Sequence, residues 1–421
     1  MVLLGIFLAA VFIYSLVSKR VQHTILTAPI LFTAMGILTF LVEPDPSRVV
    51  IKDKTALVVG EITLALVLFA DATHINLRRV MRQYQLPSRL LGVGMPLTIL
   101  AGAIVALVLF ADFSIWEAAI LATILAPTDA SLGAAIVHSQ RVPARIRQAF
   151  TVESGLNDGL SIPLLMLFIA LAQAGALGEE RSWLVFTVQQ IGFGFLVGLT
   201  LGWLGGWLAA NAQGQRWMTA AAEQLSLLAL AILSWWLAEK VVGGNGFIAA
   251  FIAGAIVRRG FASAHQRMAE FSEAWGDLLI YFIFFYFGLI AAPELGRLAG
   301  PLWAYAILSL TLVRMLPVGL SMMGTGLHRS SLAFLGWFGP RGLASIVLGL
   351  VFLQEKTSLP GESIIELAVI TTVLLSVFAH GVSAAPAIGI YARRVDSFEP
   401  GSPELREAPD LNATEGVMEL L

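Results

Sequence analysis

Residues 126–159 read APTDASLGAAIVHSQRVPARIRQAFTVESGLNDG. The stretch is unusual because it places polar and helix-breaking residues inside two long apolar segments, 115–138 and 147–174. Ala126-Pro127-Thr128-Asp129 falls near the centre of the first, and Glu153-Ser154-Gly155-Leu156-Asn157-Asp158 lies in the second. Proline removes a backbone donor and disrupts the turn before it. An ionisable group at the middle of an apolar helix is costly in lipid, so each should face protein, water or a partner.

The rest of the chain agrees with a lipid setting. Of 421 residues, 57% are hydrophobic and 13% charged, against about 25% charged in a soluble domain. Apolar runs of about 20 residues recur, enough to cross a roughly 30 Å hydrocarbon core at about 1.5 Å per residue. The pattern predicts an all-α polytopic membrane protein of about thirteen spans, at 2–18, 24–42, 55–76, 87–110, 115–138, 147–174, 183–210, 218–239, 245–258, 273–292, 301–324, 331–353 and 364–392. The ninth is short as drawn, lies in a glycine-rich stretch and is expected to extend at one end. The first has no basic run before it, so it reads as a span and not as a cleaved signal peptide. With a net charge of −2 there is no case for a nucleic-acid partner, and without cysteine there is no disulfide or thiol chemistry. No cofactor is expected.

Arginine and lysine set the expected orientation. With the N-terminus outside, sixteen fall in inside loops and seven in outside loops. This predicts N-out, C-in and an odd number of spans. From about Asp396 the chain turns polar and reads as a short disordered tail. Glycines 194, 198, 202 and 206 recur every fourth residue on the seventh span, a stripe that permits close helix packing.

Asp129, Asp158, Arg314 and Arg341 lie ten or more residues into their spans, about 15–20 Å deep by the helical rise. A second break, Phe338-Gly339-Pro340-Arg341-Gly342, interrupts the twelfth span. Irregular backbone at that depth is tolerated only where it is buried or lines a cavity. Half-helix ends carry partial charges, which Asp129 and Arg341 are placed to balance. The two breaks are seven spans apart and therefore run in opposite directions. This is the arrangement of two inverted six-span repeats, 1–6 and 8–13, with the seventh as linker, whose broken helices cross at a transport site. Ser154 and Asp158 share a helix face, with Glu153 and Asn157 on a neighbouring one. One carboxylate, a hydroxyl and a carboxamide, with carbonyls freed near Thr128, form a hard-oxygen site suited to a small monovalent cation. Asp71 is expected to line an inner vestibule, Glu61 to be interfacial, and His380 to be packed or hydrogen-bonded. A pH sensor built from the loop histidines, among them His74 and His138, is a lesser possibility.

At these residues the chain resembles the NhaP/NHE-type sodium/proton antiporters, the branch of the cation:proton antiporters with Asn-Asp on the sixth helix. The 126–159 block is the most specific part. LFADA (68–72), GGNGFIAAFIAGAIV (243–257) and GPRG (339–342) follow in the expected order. The resemblance implies a transmembrane antiporter domain over 1–395, with core helices at roughly 87–174 and 301–392 moving against a dimerisation scaffold from the rest, and a short cytoplasmic tail, 396–421. It implies a homodimer in a bacterial-type inner membrane, exchanging Na+ (or Li+ or K+) for H+ with no net charge moved. Asp158 would carry cation and proton in turn, and Glu153 would pair with Arg314. The alternatives are another solute carrier on the same fold, such as an organic-anion symporter, a channel or a membrane-embedded enzyme. The acidic Asn157-Asp158 site argues against the first. No HExxH or GxSxG motif supports the last.

Overall fold

The computed structural model describes residues 2–21, 24–42, 54–74, 85–129, 131–177, 180–261, 275–355, 357, 359–399 and 401–406. Among the described residues there is no strand, and the helices fall into thirteen units. These are α1 (Val2–Val21), α2 (Ala28–Val42), α3 (Lys54–His74), α4 (Gln85–Leu109), α5a and α5b (Ile115–Ile124, Ala134–Val137), α6 (Ala144–Leu177) and α7 (Glu180–Gly214). Then come α8 (Ala220–Val242), α9 (Gly246–Gly260), α10 (Asp277–Glu294), α11 (Gly300–Ser321), α12a and α12b (Arg329–Trp337, Leu343–Gln354) and α13 (Glu362–Val395). Among the described residues eight helices are long and apolar enough to cross a membrane by length and composition, and α5a and α12b are among the shorter apolar ones.

Both proline-marked breaks are present. A third interruption was not expected: α11 divides at Thr311 into Gly300–Leu310 and Leu312–Ser321. Two π-helical turns, Leu90–Gly94 in α4 and Leu237–Val242 in α8, precede Pro96 and the left-handed Gly243 respectively.

Small residues bring the helices together. A Cβ at Gly194, Gly198, Gly202 or Gly206 of α7 would run into the backbone of Asn245, Ala249, Ala253 or Val257 along α9. The stripe is therefore a packing seam, with its spacing of four matched on the facing helix. In α2, Gly36 faces the Phe285 carbonyl and Gly288 of α10, and Gly288 faces the Thr33 carbonyl in return. In α3, the Phe69 carbonyl lies against Gly254 of α9. The α2–α10 and α3–α9 contacts are the same pairing seen from the two halves of an inverted repeat. Without a hydrophobic drive between helices in lipid, such backbone approach is what holds them. On the opposite side of α7, Trp203 and Trp207 are exposed, as an apolar face toward lipid would be.

One expectation is corrected. The chain beyond Asp396 is not free: as far as Arg406 it docks on the end of the bundle. Glu404, 1% exposed, accepts from the His328 backbone N–H and from Ser331 Oγ, both at 2.7 Å. Arg145 Nη1 donates to the Pro403 carbonyl at 2.7 Å, and Phe398 stacks on His328 with ring centroids 4.0 Å apart. The physical reason is a vacancy at the start of α12a. Its N-cap is His328, whose side chain does not cap, so the first-turn donors take the Glu404 carboxylate.

Candidate functional site

The two breaks meet and satisfy each other. Asp129 N–H donates to the Pro340 carbonyl at 2.8 Å. The Asp129 carboxylate accepts from Leu343 N–H, at the first residue of α12b, at 2.6 Å through Oδ2. Its Oδ1 accepts from the N–H and Oγ of Ser131, each at 2.7 Å. The carboxylate therefore caps the positive end of the opposite half-helix. Gly342 makes this approach possible, because a Cβ there would overlap Asp129 Oδ2. In the other direction Arg341, fully buried, donates through Nη1 to the carbonyls of Ala126 and Pro127, the latter at 2.9 Å. These carbonyls follow the C-terminal, negative end of α5a. The Arg341 side chain is aimed at the freed backbone and not at Asp71.

Beside the crossing, α6 presents its polar residues. Arg314 of α11 forks onto Glu153, with Nη1–Oε1 at 2.5 Å and Nη2–Oε2 at 2.9 Å. Both residues are about 2% exposed. Gly339 lies flat against that guanidinium, and a side chain there would displace it. The two glycines of Gly339-Pro340-Arg341-Gly342 thus have separate causes, one for each neighbouring charge.

Asn157 Nδ2 donates to Thr128 Oγ1 at 2.7 Å, which ties α6 to the broken segment of α5. Ser154 Oγ donates back to the Phe150 carbonyl at 2.9 Å, leaving its lone pairs available. Asn157 Oδ1 and Asp158 Oδ1 are buried acceptors with no hydrogen-bond partner. Leaving a buried acceptor unmatched costs about 1–3 kcal/mol, more for a charged one. Sequential residues thus offer two unmatched oxygens next to the Thr128 and Ser154 hydroxyls. Asp71, partly exposed on α3, and Asp129 both lie within electrostatic reach of Asp158.

The structure brings Thr128, Asp129, Asn157, Asp158 and Arg341 to one crossing, with Glu153 and Arg314 paired at its edge. Glu61 is buried in the protein near Lys240 and Gln354, where α8 and α12b close over that end of α3. His23 and His265 lie outside the described residues, as does the side chain of His74, while His138 stands at the C-cap position of α5b and His328 at the N-cap position of α12a. Sequence reasoning missed Ser131, although an Asp followed two residues later by Ser is the signature of a side-chain turn. It also missed Ser376, which lies one helical turn before His380 on α13 and accepts from Arg341 N–H at 2.6 Å.

Known proteins resemble this chain in sequence and in fold. A K+/H+ antiporter NhaP2 of Shewanella sp. strain ANA-3 is 26% identical over 392 residues, covering 91% of this chain and 66% of the relative. The chain thus spans just under two thirds of that relative's length. Na+/H+ antiporter 2 of Zygosaccharomyces rouxii is 24% identical over 73% of this chain and 40% of its own length. In fold, the chain is similar to the sodium proton antiporter MjNhaP1 of Methanocaldococcus jannaschii, with a TM-score of 0.71, 20% identity, and coverage of 90% of this chain and 99% of that one. The family model described as sodium/hydrogen exchanger, transmembrane, matches residues 4–388. Spanning nearly the whole bundle, that match establishes that this multi-pass chain belongs to the sodium/hydrogen exchanger family.

Proposed function

We propose that the chain is a secondary antiporter that exchanges a monovalent cation for H+ by alternating access. The observation that carries this reading is the unmatched pair Asn157 Oδ1 and Asp158 Oδ1. Around them the other deep carboxylates are already answered, Asp129 by backbone and Ser131 and Glu153 by Arg314, while Arg341 donates to carbonyls through Nη1 alone. Asp158 is left to take the ion, with Asn157, Ser154 and Thr128 as neutral oxygen ligands and Asp71 drawing cations toward it from an inner vestibule. One carboxylate serves one monovalent charge, which favours electroneutral one-for-one exchange. Na+ is the first candidate and K+ or Li+ the others; the names of the relatives include both Na+ and K+ exchangers.

In this reading the helices over 87–174 and 301–392 form a core that moves against a scaffold made by the rest. Two copies pair through the scaffold in an inner membrane, with the N-terminus outside and the C-terminus in the cytoplasm. The test is dissipation of a pH gradient in proteoliposomes on adding Na+, Li+, K+ or Ca2+. Exchange with one or more monovalent cations is expected, and Asp158→Asn should abolish it while still inserting and folding. Wild-type exchange in that variant would remove Asp158 from the mechanism.

A further inference from the structure

A histidine and a serine one helical turn apart on α13 hold together the two ends of the α12 break. The Trp337 carbonyl, at the C-terminal end of α12a, lies 2.9 Å from His380 Nε2. A carbonyl only accepts, so Nε2 carries the proton. On the far side of the break, Arg341 N–H donates to Ser376 Oγ at 2.6 Å. An amide N–H only donates, so the Ser376 hydroxyl proton is free for His380 Nδ1, 3.1 Å away. Nδ1 lies equally near the Ser376 carbonyl, at 3.1 Å, which would accept from it in a doubly protonated ring. The neutral Nε2–H tautomer adds no further buried charge beside Arg341 and lets the bonds run in series, Arg341 N–H to Ser376, Ser376 to His380, His380 to Trp337. Both side chains are fully buried. Trp337 is tied to α13 a second time, through Nε1 to Ser383 Oγ at 3.0 Å.

We infer that His380 and Ser376 are positioning residues for the ion site, acting through the α12 break and not by touching the ion. This rests on the antiporter reading above and adds how its site is held. The tether sets the path of residues 338–342. That path aims Arg341 at the Ala126 and Pro127 carbonyls and presents the Pro340 carbonyl to Asp129 N–H. These contacts fix the broken segment of α5, whose Thr128 holds Asn157 beside Asp158. Loosening the tether leaves the carboxylate in place and disperses its neutral ligands. The loss therefore falls on cation binding and not on the maximal rate.

The experiment measures exchange against cation concentration in proteoliposomes for wild type, His380→Leu, His380→Gln and Ser376→Ala, each checked for folding by size exclusion and thermal unfolding. His380→Leu and Ser376→Ala should raise the half-saturating cation concentration about tenfold, the equivalent of one buried hydrogen bond, with the maximal rate nearly unchanged. His380→Gln, whose amide can donate to Trp337 and accept from Ser376, should stay close to wild type. Wild-type half-saturation in His380→Leu, or equal impairment in a folded His380→Gln, would overturn the inference. If His380→Leu does not fold, Ser376→Ala decides, and wild-type half-saturation there overturns it. If wild type exchanges no cation, the antiporter reading fails instead. The tether is then judged by nuclear magnetic resonance of the imidazole, assigned by its absence in His380→Gln: a neutral Nε2–H ring supports it, and a doubly protonated or Nδ1–H ring overturns it.

Discussion

Glu153 and Asp158 are five residues apart on one helix and both buried, yet their surroundings give them opposite characters. Glu153 receives two guanidinium bonds from Arg314, whereas Asp158 keeps an oxygen with no hydrogen-bond partner among the described residues. In the proposed function the first is structural and the second binds the ion. Removing one partner of a buried pair leaves an uncompensated charge at a cost of about 3–5 kcal/mol. Glu153→Gln and Arg314→Met should each lower the melting temperature more than the double variant does. Strictly additive losses in that cycle would mean the two side chains do not interact. How much of this could be read in the sequence depends on the distance between partners. The depth of Asp158 and Arg314 follows from counting residues along apolar runs. Their partners do not, since Arg314 and Glu153 are 161 positions apart and only the resemblance paired them. The role of His380 was out of reach for the same reason, because its acceptor is a backbone carbonyl with no side-chain signature.

At the scale of the element, Pro127 and Pro340 mark the two breaks in plain sight, and the signs of Asp129 and Arg341 anticipate which half-helix end each meets. The interruption of α11 at Thr311 carries no such mark, since neither glycine nor proline stands there. The halves also differ in how their broken helices begin. In α5a, Ser114 and Glu117 form a capping box, and Glu117 Oε1 also accepts from Gly361 N–H at the start of α13 at 2.7 Å. In α12a the corresponding first-turn position is Ser331, and the carboxylate comes from Glu404. The crossing itself leaves no room for a side chain at Gly342. Gly342→Ala should push Asp129 off the α12b N-terminus, losing a charged hydrogen bond of about 1.5–3 kcal/mol. Exchange should fall by about tenfold or more if that loss appears in the transport cycle, measured as initial rate in proteoliposomes. An alanine variant at wild-type rate would show that the cap is dispensable.

Across the whole molecule, thirteen helical units were legible from apolar run length and arginine placement because lipid imposes one strict requirement, internal satisfaction of the backbone. The docked segment after α13 was not legible. Its composition is polar and proline-rich, and only the placement of His328 and Ser331 in space gives Glu404 a site. Glu404→Ala should cost about 1–2 kcal/mol, as a lost helix cap does, seen as a lower melting temperature with the bundle still folded. An unchanged melting temperature would make the docking incidental.

The central claim is that cation and proton compete for Asp158. At low pH the proton holds the carboxylate and cations are excluded; at high pH the cation holds it and no proton returns to complete the cycle. The rate is then bell-shaped in pH with no separate sensor. The direct test is exchange rate against pH at several cation concentrations in proteoliposomes. The account predicts that raising the cation shifts the acid limb to lower pH, because more cation is present to displace the proton. An acid limb that stays near an ordinary histidine pKa of about 6.5 at every cation concentration would contradict competition at Asp158 and point to a histidine sensor.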